Sequence, residues 1–352
     1  MFLLIYGSIQ GKVNSESDHR VKIEIVEKEK KIKYKIYKIK DARLYSDRVH
    51  DAAIILNNFI VDGPSYQLRT VNNDSVEKNI VFKKGTPRFK KKLNGKVLSL
   101  LTGGAGNDNY WHWIFDVLPR FELCSRVYDL KKIDFFLLPS LEKRFQRETL
   151  DLLGIPLKKC ISSRFFRHIS SPEIIVTDHP YVITNDASYD IQNIPTWIFS
   201  WLKEKYIKKE SIGSKIFSKR IYIDRSDSSP NTKAKRLITN ENEVRDFLFN
   251  NGFESVILGN LHFEDQVKIF NNAEIIVGLH GAGFSNISFC KAGTKVIELK
   301  NTTDGKVIEN LALNNDLIYK SINCEAVKFK IAQFGHINVP IESLKKIIES
   351  SN

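Results

Sequence analysis

The 352-residue sequence contains no run approaching the ~18 apolar residues that a membrane-spanning helix requires, so no span is expected. Its four cysteines, Cys124, Cys160, Cys290 and Cys324, form no C-x-x-C pair, and no His/Cys cluster has zinc spacing. Reduced, mostly buried thiols are expected instead of disulfides. Asp-x-Asp, a usual carboxylate pair for holding a divalent metal, does not occur. There is no internal repeat and no low-complexity segment. The opening Met-Phe-Leu-Leu-Ile-Tyr is too short for the apolar region of a secretory signal and has no basic residue before it, so it is expected to be a first strand. Acidic residues are in deficit, 41 against 54 Lys+Arg, which leaves a formal charge of +13.

What the chain does have is core-forming material. With 42% hydrophobic and 27% charged residues it has an ordinary globular balance, which excludes collagen, coiled coil and global disorder. Its length suits two domains of ordinary size. The positive excess points to nucleic acid, an anionic membrane surface or a phosphate-bearing small molecule, and composition does not choose among them. Alternation at Val21, Ile23 and Ile25, then at Ile32, Tyr34 and Ile36, predicts a hairpin. The lysines interleaved from Lys28 to Lys40 are then expected on its solvated face rather than in a nucleic-acid stripe. A second basic cluster, Lys83 to Lys96, is placed on a loop containing Gly85 and Pro87.

Up to about Leu101 the pattern is mainly β. Beyond Lys96 it changes to α/β, with a strand over 97–101, a glycine turn over 102–106 and a helix from Tyr110 to about Arg126. A strand over 133–138, a helix over 141–153 and, after a turn-rich stretch, a helix over 195–206 follow. The polar stretch 208–218 is the expected linker. A second α/β unit has strands over 220–223, 255–258, 274–278 and 295–299. Its helices are expected from a capping box at Asn240 and Glu243, then over 264–271, 284–289, 306–313 and 341–350. Alternation at this spacing predicts a doubly wound parallel sheet.

Three constellations carry candidate chemistry. The loop G-L-H-G-A-G-F-S-N, 278–286, lies between a predicted strand and helix. Glycines there let backbone approach a ligand, and amides at a helix start favour an anion. Its spacing fits neither the dinucleotide nor the P-loop fingerprint. A tight turn needing glycine for shape is the plainer alternative, as a structural imidazole is for His280. The segment I-D-R-S-D-S-S-P-N-T-K-A-K-R places Arg225 at the carboxyl end of a strand, with Lys233, Lys235 and Arg236 downstream. An arginine fork suits phosphate oxygens, so Arg225 and Arg236 are candidate anion ligands, while the lysines are expected to be solvated. In G-G-A-G-N-D-N-Y-W-H-W-I-F-D, 103–116, His112 and Asp116 fall at i and i+4 of a helix starting near Asn109 and share a face. They form either a base with its orienting carboxylate or a structural hydrogen bond. Trp111, Trp113 and Phe115 are expected in the core or in the wall of an acceptor site.

Taken in order, Y-W-H-W-I-F-D-V-L-P-R, R-I-Y-I-D-R-S-D-S-S, L-H-F-E-D-Q-V-K-I-F-N-N-A-E-I-I-V-G-L-H-G-A-G-F-S-N and G-T-K-V-I-E-L resemble the family 61 glycosyltransferases over roughly residues 96–300. The remaining ends match only in general character. The resemblance implies an α/β fold of GT-B architecture, two Rossmann-like domains facing across a cleft with a β-rich amino-terminal extension. Residues 1–207 would be the acceptor side (β-rich 1–95, α/β 96–207), 208–218 the linker and 219–335 the nucleotide-sugar-binding domain. A terminal helix occupies 336–352, its return to the first domain left open. The implied reaction is an inverting, metal-independent and cofactor-free transfer of a sugar from a nucleotide sugar, UDP-sugar favoured. The acceptor would be a hydroxyl of a glycan or lipid-linked glycan in bacterial capsule or surface-polysaccharide synthesis. By the same resemblance Arg225 and Arg236 contact phosphates, and His280, Gly281, Ala282 and Gly283, with Ser285 and Asn286, hold pyrophosphate and sugar. Leu258 and Gly259 take the base and Glu298 the ribose hydroxyls. Asn109, Tyr110 and Trp111 bind the acceptor, and His112 is the base oriented by Asp116, with Asp116 or His280 as alternative bases. Leu279 departs from the family pattern, where many members have Pro. The expected location is cytoplasmic, with peripheral membrane association open and no nucleic-acid partner.

Two readings of other classes stay open on the sequence. One is an anionic-polymer or nucleic-acid binding protein, favoured by the charge of +13 but lacking a recognition helix or an RNP-type aromatic pattern. The other is a catalytically inactive GT-B scaffold. A Rossmann oxidoreductase is weakened by the missing fingerprint.

Overall fold

The computed structural model describes residues 5–29, 32–48, 51–65, 76–101, 108–184, 186–207, 217–228, 230, 236–327 and 335–350. The glycine turn expected at 102–106, most of the expected linker, and Lys233 and Lys235 lie outside the described residues. The chain divides into two compact units, Met1–Trp201 and Leu202–Asn352.

The strands of the first unit are Tyr6–Gly7 (β1), Gly11–Asn14 (β2), Val21–Lys28 (β3), Ile32–Arg48 (β4), Asp51–Leu56 (β5), Phe59–Asp62 (β6), Thr86–Pro87 (β7), Lys91–Lys92 (β8), Lys96–Ser99 (β9), Phe135–Leu138 (β10), Cys160–Ser162 (β11) and His168–Thr177 (β12). β1 and β7 pair on their own, and the other ten form one sheet of order β11-β10-β9-β12-β4-β5-β6-β2, with β3 also on β4 and β8 on β12. β4 is its spine. It pairs antiparallel with β3 (Val21↔Ile39 to Lys28↔Ile32), with β12 (Ile36↔Thr177 to Tyr45↔His168) and with β5 (Arg43↔Ile55 onward). The predicted hairpin is therefore formed, and β12 joins the β-rich and α/β stretches into a single sheet.

Along its central strands both faces of that sheet are covered, and the period of two sorts the side chains between them. Along β5, Ala52, Ile54 and Leu56 enter one core with Tyr37, Ile39, Leu44 and Ile174, while Ala53 and Ile55 enter another with Tyr45, Ile60 and Val81. Val81 belongs to the helix Ile80–Lys84, so the basic cluster expected on a loop starts on a helix and continues through β7 and β8. Nor are the hairpin lysines a uniformly solvated face. Lys28 is 12% exposed, pairs with Glu122 at 2.6 Å and lies 5.0 Å from the Trp197 ring centre. Lys38 lies 4.8 Å over Tyr128, and Lys35 reaches Glu16 at 2.7 Å. Part of the positive charge thus stabilises the fold internally.

The second unit holds Arg220–Asp224 (β13), Glu254–Ile257 (β14), Ile275–Leu279 (β15), Lys295–Asn301 (β16) and Ile318–Cys324 (β17) in one parallel sheet of order β14-β13-β15-β16-β17. β15, Ile-Ile-Val-Gly-Leu, is buried at every position, as a strand covered on both faces must be. The helices Glu241–Asn250 and Ile341–Glu349 bring Val244, Leu248, Leu344 and Ile348 into a core with Tyr222, Val277 and Leu299, so the terminal helix packs within this unit. Phe263 of the helix Phe263–Asn272 and Phe289 of the 3-10 helix Ala282–Phe289 pack edge to face at 5.7 Å, with Tyr206 beside both. Asn240 does not close the expected capping box. Its amide donates to Glu243 at 3.1 Å and to the Val339 carbonyl at 2.9 Å, and its oxygen accepts the Val339 N–H at 2.9 Å, tying the helix start to the last segment of the chain.

Counted along the chain, the strand order of the second sheet is 2-1-3-4-5, so it reverses between β13 and β15. Open parallel sheets bind ligands outside the carboxyl ends of the strands that flank such a reversal. Arg225 follows β13 and His280 follows β15. Among the described residues, no helix is long and apolar enough to cross a membrane.

Candidate active site

Asn109 opens the helical segment of the first unit, its side-chain oxygen accepting the Trp111 N–H at 2.9 Å as a cap. The segment then departs from the plain α-helix expected. Tyr110–His112 is followed by a π-helical turn, Trp113–Val117, in which the Leu118 N–H donates to the Trp113 carbonyl at 3.1 Å, and then by the helix Pro119–Ser125. Pro119 supplies a physical reason. It has no N–H for the Phe115 carbonyl and its ring would collide with that carbonyl, so the helix widens just ahead of it.

His112 and Asp116 meet across this turn. Nδ1 of His112 lies 2.9 Å from Oδ2 of Asp116, whose side chain is 0% exposed while that of His112 is 23% exposed. A third residue, His179, has no role assigned from the sequence. Its Nδ1 accepts the N–H groups of Tyr181 and Val182 at 3.3 and 3.1 Å, so its proton sits on Nε2, which faces Asp116 Oδ2 at 3.6 Å. Fully buried Arg120 donates to the Asp116 carbonyl at 2.7 Å and to the Thr177 carbonyl at 3.1 Å, fixing the helix to the end of β12 that leads into His179.

Burial alone would push the Asp116 carboxyl up, but the charge and hydrogen bond of His112, together with His179, hold it well below the usual carboxylate range. Burial also opposes protonation of His112, yet Asp116 outweighs it and raises His112 above its ordinary value. His179 goes the other way. Burial, opposed by Asp116, brings it down to about 4, so it is neutral at pH 7. The result is an imidazole oriented through Nδ1, whose Nε2 has no hydrogen-bond partner among the described residues, as a general base requires. Around it, Asn109 is exposed, Tyr110 half-buried and edge-on to Phe145 at 5.0 Å, and Trp111 buried against Phe115 at 4.6 Å. Trp113 is core, donating to Thr149 at 2.8 Å.

In the second unit Nη1 of Arg225 and Nη1 of Arg236 both donate to the His280 carbonyl, at 2.8 and 2.9 Å. Arg236 also has a carboxylate, the buried Asp304 at 2.8 Å from Nη2. Arg225 has none among the described residues. Burial and repulsion from Arg236 bring it down to about 10, still fully charged at neutral pH. A half-buried guanidinium so placed is suited to an anion. Gly281, at φ +156°, permits the approach, since a Cβ there would lie 3.1 Å from Arg225 Nη1. At Gly283 a Cβ would meet Leu258 at 3.1 Å and Ile223 at 3.2 Å, so the helix start at Ala282 lies close against β13 and the Leu258 turn. The Gly259 N–H donates to Asp227 at 2.8 Å, joining that turn to the loop after Arg225.

The other expected donor-side residues lie behind this surface. Glu298 on β16 is 0% exposed and is bonded by Nδ1 of His280 and the hydroxyl of Tyr319, with Lys300 Nζ at 3.9 Å. It is placed to orient His280 rather than standing open. Asn286, also 0% exposed, donates to Gln266 at 3.1 Å, and Ser285 is buried beside it. Arg225, Arg236, His280, Gly281, Ala282, Gly283, Leu258 and Gly259 therefore gather at one end of the second sheet, while His112, Asp116 and Asn109–Trp111 belong to the first unit. For His179 the available sequence signal is a titratable residue directly after the apolar strand in E-I-I-V-T-D-H-P-Y; Asp304 and Tyr319 carry none. Among the described residues no group of three or more His, Cys, Asp or Glu could hold a metal ion.

Among curated proteins none matches the chain. The family model described as glycosyltransferase 61 matches residues 110–297, from the helix of His112 through the glycine loop into β16. That match takes in the His112–Asp116 pair, both arginines and the glycine loop, and it covers just over half of the sequence, so the chain belongs to the glycosyltransferase 61 family and is a glycosyltransferase.

Proposed function

We propose that the protein is an inverting, metal-independent transferase that moves a sugar from a nucleotide sugar, UDP-sugar favoured, to a hydroxyl of a glycan or lipid-linked glycan. Its role would be the synthesis of a bacterial capsule or surface polysaccharide at the cytoplasmic face of the membrane. The two units act as the two halves of a GT-B enzyme, the second taking the donor and the first the acceptor. The observation that carries this is the His112–Asp116–His179 arrangement, an imidazole held through Nδ1 by a buried, ionised carboxylate.

Nε2 of His112 takes the proton of the acceptor hydroxyl as that oxygen attacks the anomeric carbon. The bond from that carbon to the diphosphate oxygen breaks on the opposite side, its electron pair leaving with the nucleoside diphosphate, so the centre inverts. Asp116 stabilises the imidazolium that forms. Arg225, with the amides at the start of the 3-10 helix Ala282–Phe289, stabilises the charge growing on the departing phosphate, an effect of about 3 kcal/mol per well-placed donor. Arg236, tied to Asp304, fixes the His280 carbonyl against which Arg225 is held.

The test is incubation with a panel of nucleotide sugars and glycan acceptors in EDTA, following nucleoside diphosphate release and the anomeric configuration of the product by proton NMR. Release with inverted configuration is expected. Retained configuration, or activity that EDTA abolishes and Mn²⁺ restores, would contradict the proposal.

A further inference from the structure

The first unit carries a polar recess lined by none of the residues of the His112 cluster, a cleft of about 830 Å³ over β4, β8 and β12. That volume lies within the range of ligand sites. Its lining has three cations, Arg43, Lys90 and Lys92, against one anion, Asp41. Among the described residues no carboxylate pairs with any of the three. Arg43 is held in place by neutral groups. Nη1 donates to Thr86 Oγ1 at 2.6 Å and to His168 Nε2 at 3.1 Å, Nη2 to Asn58 Oδ1 at 3.4 Å, and Nε to the Asn57 carbonyl at 3.3 Å. His168 is fixed as the acceptor because its Nδ1 donates to the Phe89 carbonyl at 3.0 Å. Burial and the Arg43 charge lower His168 to about 4, so it adds no competing cation at neutral pH.

The rest of the lining is suited to hydroxyls. Asn57, Asn58, Asn94 and Ser170 present amides and an alcohol, and no lining residue is aromatic; the hydroxyl of buried Ser171 is taken up by the Gly95 and Glu173 carbonyls at 2.6 and 2.8 Å. Ser170 stands seven residues before Thr177 on β12, roughly 23 Å at the rise of a strand, and Thr177 is where Arg120 anchors the helix of Asp116. The cleft is therefore separate from the His112 cluster.

We propose that this cleft binds an anionic carbohydrate chain, its carboxylate or phosphate groups on Arg43, Lys90 and Lys92 and its hydroxyls on the asparagine side chains and Ser170. A nucleic acid is less suited because the lining offers no ring on which a base could stack. The separation along β12 fits the body of a polymer whose end reacts elsewhere; only this last point rests on the transfer mechanism, and the binding itself does not.

The test is calorimetric titration of the full chain, without donor, at low and high salt. The probes are an oligogalacturonate hexamer, a dextran-phosphate oligomer, a neutral dextran of equal length and oligo-dT. Expected are binding of the anionic glycans that weakens with salt, little binding of neutral dextran, and an affinity loss of about fivefold in K90Q/K92Q. A larger loss is expected in R43Q. Lys90 and Lys92 are exposed, so their double variant reports even where R43Q fails to fold. The charge-matched K345Q/K346Q on the exposed side of the terminal helix is expected to bind as wild type. Binding of only one of the two anionic oligomers supports the proposal and identifies the anion. Equal affinity for neutral dextran, tighter binding of oligo-dT, or an equal loss in K345Q/K346Q would overturn it.

Discussion

Nδ1 of His112 lies 2.9 Å from the buried carboxylate of Asp116, four residues on, across a π-helical turn. With so little solvent at the carboxylate, its charge is answered chiefly by His112 and His179. Asp116 therefore stays ionised, and His112 is a stronger base than a free imidazole.

Transfer should rise with pH as His112 loses its proton, with the midpoint of the limb above ~6.5 because Asp116 raises it. Asp116→Asn removes that charge and unsettles the tautomer, so the midpoint should move down and the rate fall by about 10²–10⁴-fold. Profiles of kcat/KM against pH for both proteins measure this. A limb that Asp116→Asn leaves in place would remove His112 from the role of base.

His179→Ala takes away the Nε2–H that faces Asp116, leaving more of the carboxylate charge to act on His112. The limb should shift to higher pH and the rate at pH 7 should drop, with KM for the donor unchanged. A lower melting temperature with an unmoved pH profile would show that His179 is only structural.

Arg225 and Arg236 touch the same carbonyl but should fail differently. Arg225→Ala should weaken nucleoside diphosphate binding by about 1.5–3 kcal/mol at nearly wild-type stability. Arg225→Lys should not restore it, because an ammonium lacks the fork. Arg236→Ala strands the buried Asp304 carboxylate and should cost about 3–5 kcal/mol of stability. Calorimetry and denaturant unfolding of the two variants separate the effects.

Acid should destabilise the fold through His168 and His179, both near 4 when folded. Unfolded, they titrate near ~6.5. Between these values the unfolded chain binds protons that the folded one refuses, so stability falls as pH drops through that window and levels off below it. The slope is at most about 1.4 kcal/mol per pH unit per histidine. His112, raised on folding, acts oppositely, its contribution present below ~6.5 and fading as pH rises through its folded value. Unfolding free energies at pH 7, 6 and 5 should show a shallower slope in His168→Gln than in the wild type.

The second unit is legible in the sequence because its strands and helices alternate locally, and β13, β15 and β16 fall within a residue or two of their expected places. β17 escapes because I-Y-K-S-I-N-C has little apolar alternation. In the first unit β12 pairs with β4 from far along the chain, a contact that leaves no local signal. The His112–Asp116 pair is legible from its spacing of four, whereas the π-turn that carries it depends on Pro119 acting on the preceding turn. The arginines and the glycine loop are legible as types, but burial of Glu298, Ser285 and Asn286 is set by the sheet around them. The lysines of the hairpin look solvated by alternation alone, and only folding brings Glu122 and Trp197 to Lys28.

His112→Ala, assayed for both nucleoside diphosphate affinity and sugar transfer, tests the proposed division of labour most directly. Affinity should stay within about twofold of the wild type while transfer falls by at least about 10²-fold. Lost affinity with transfer retained would place His112 in the donor site and contradict the mechanism.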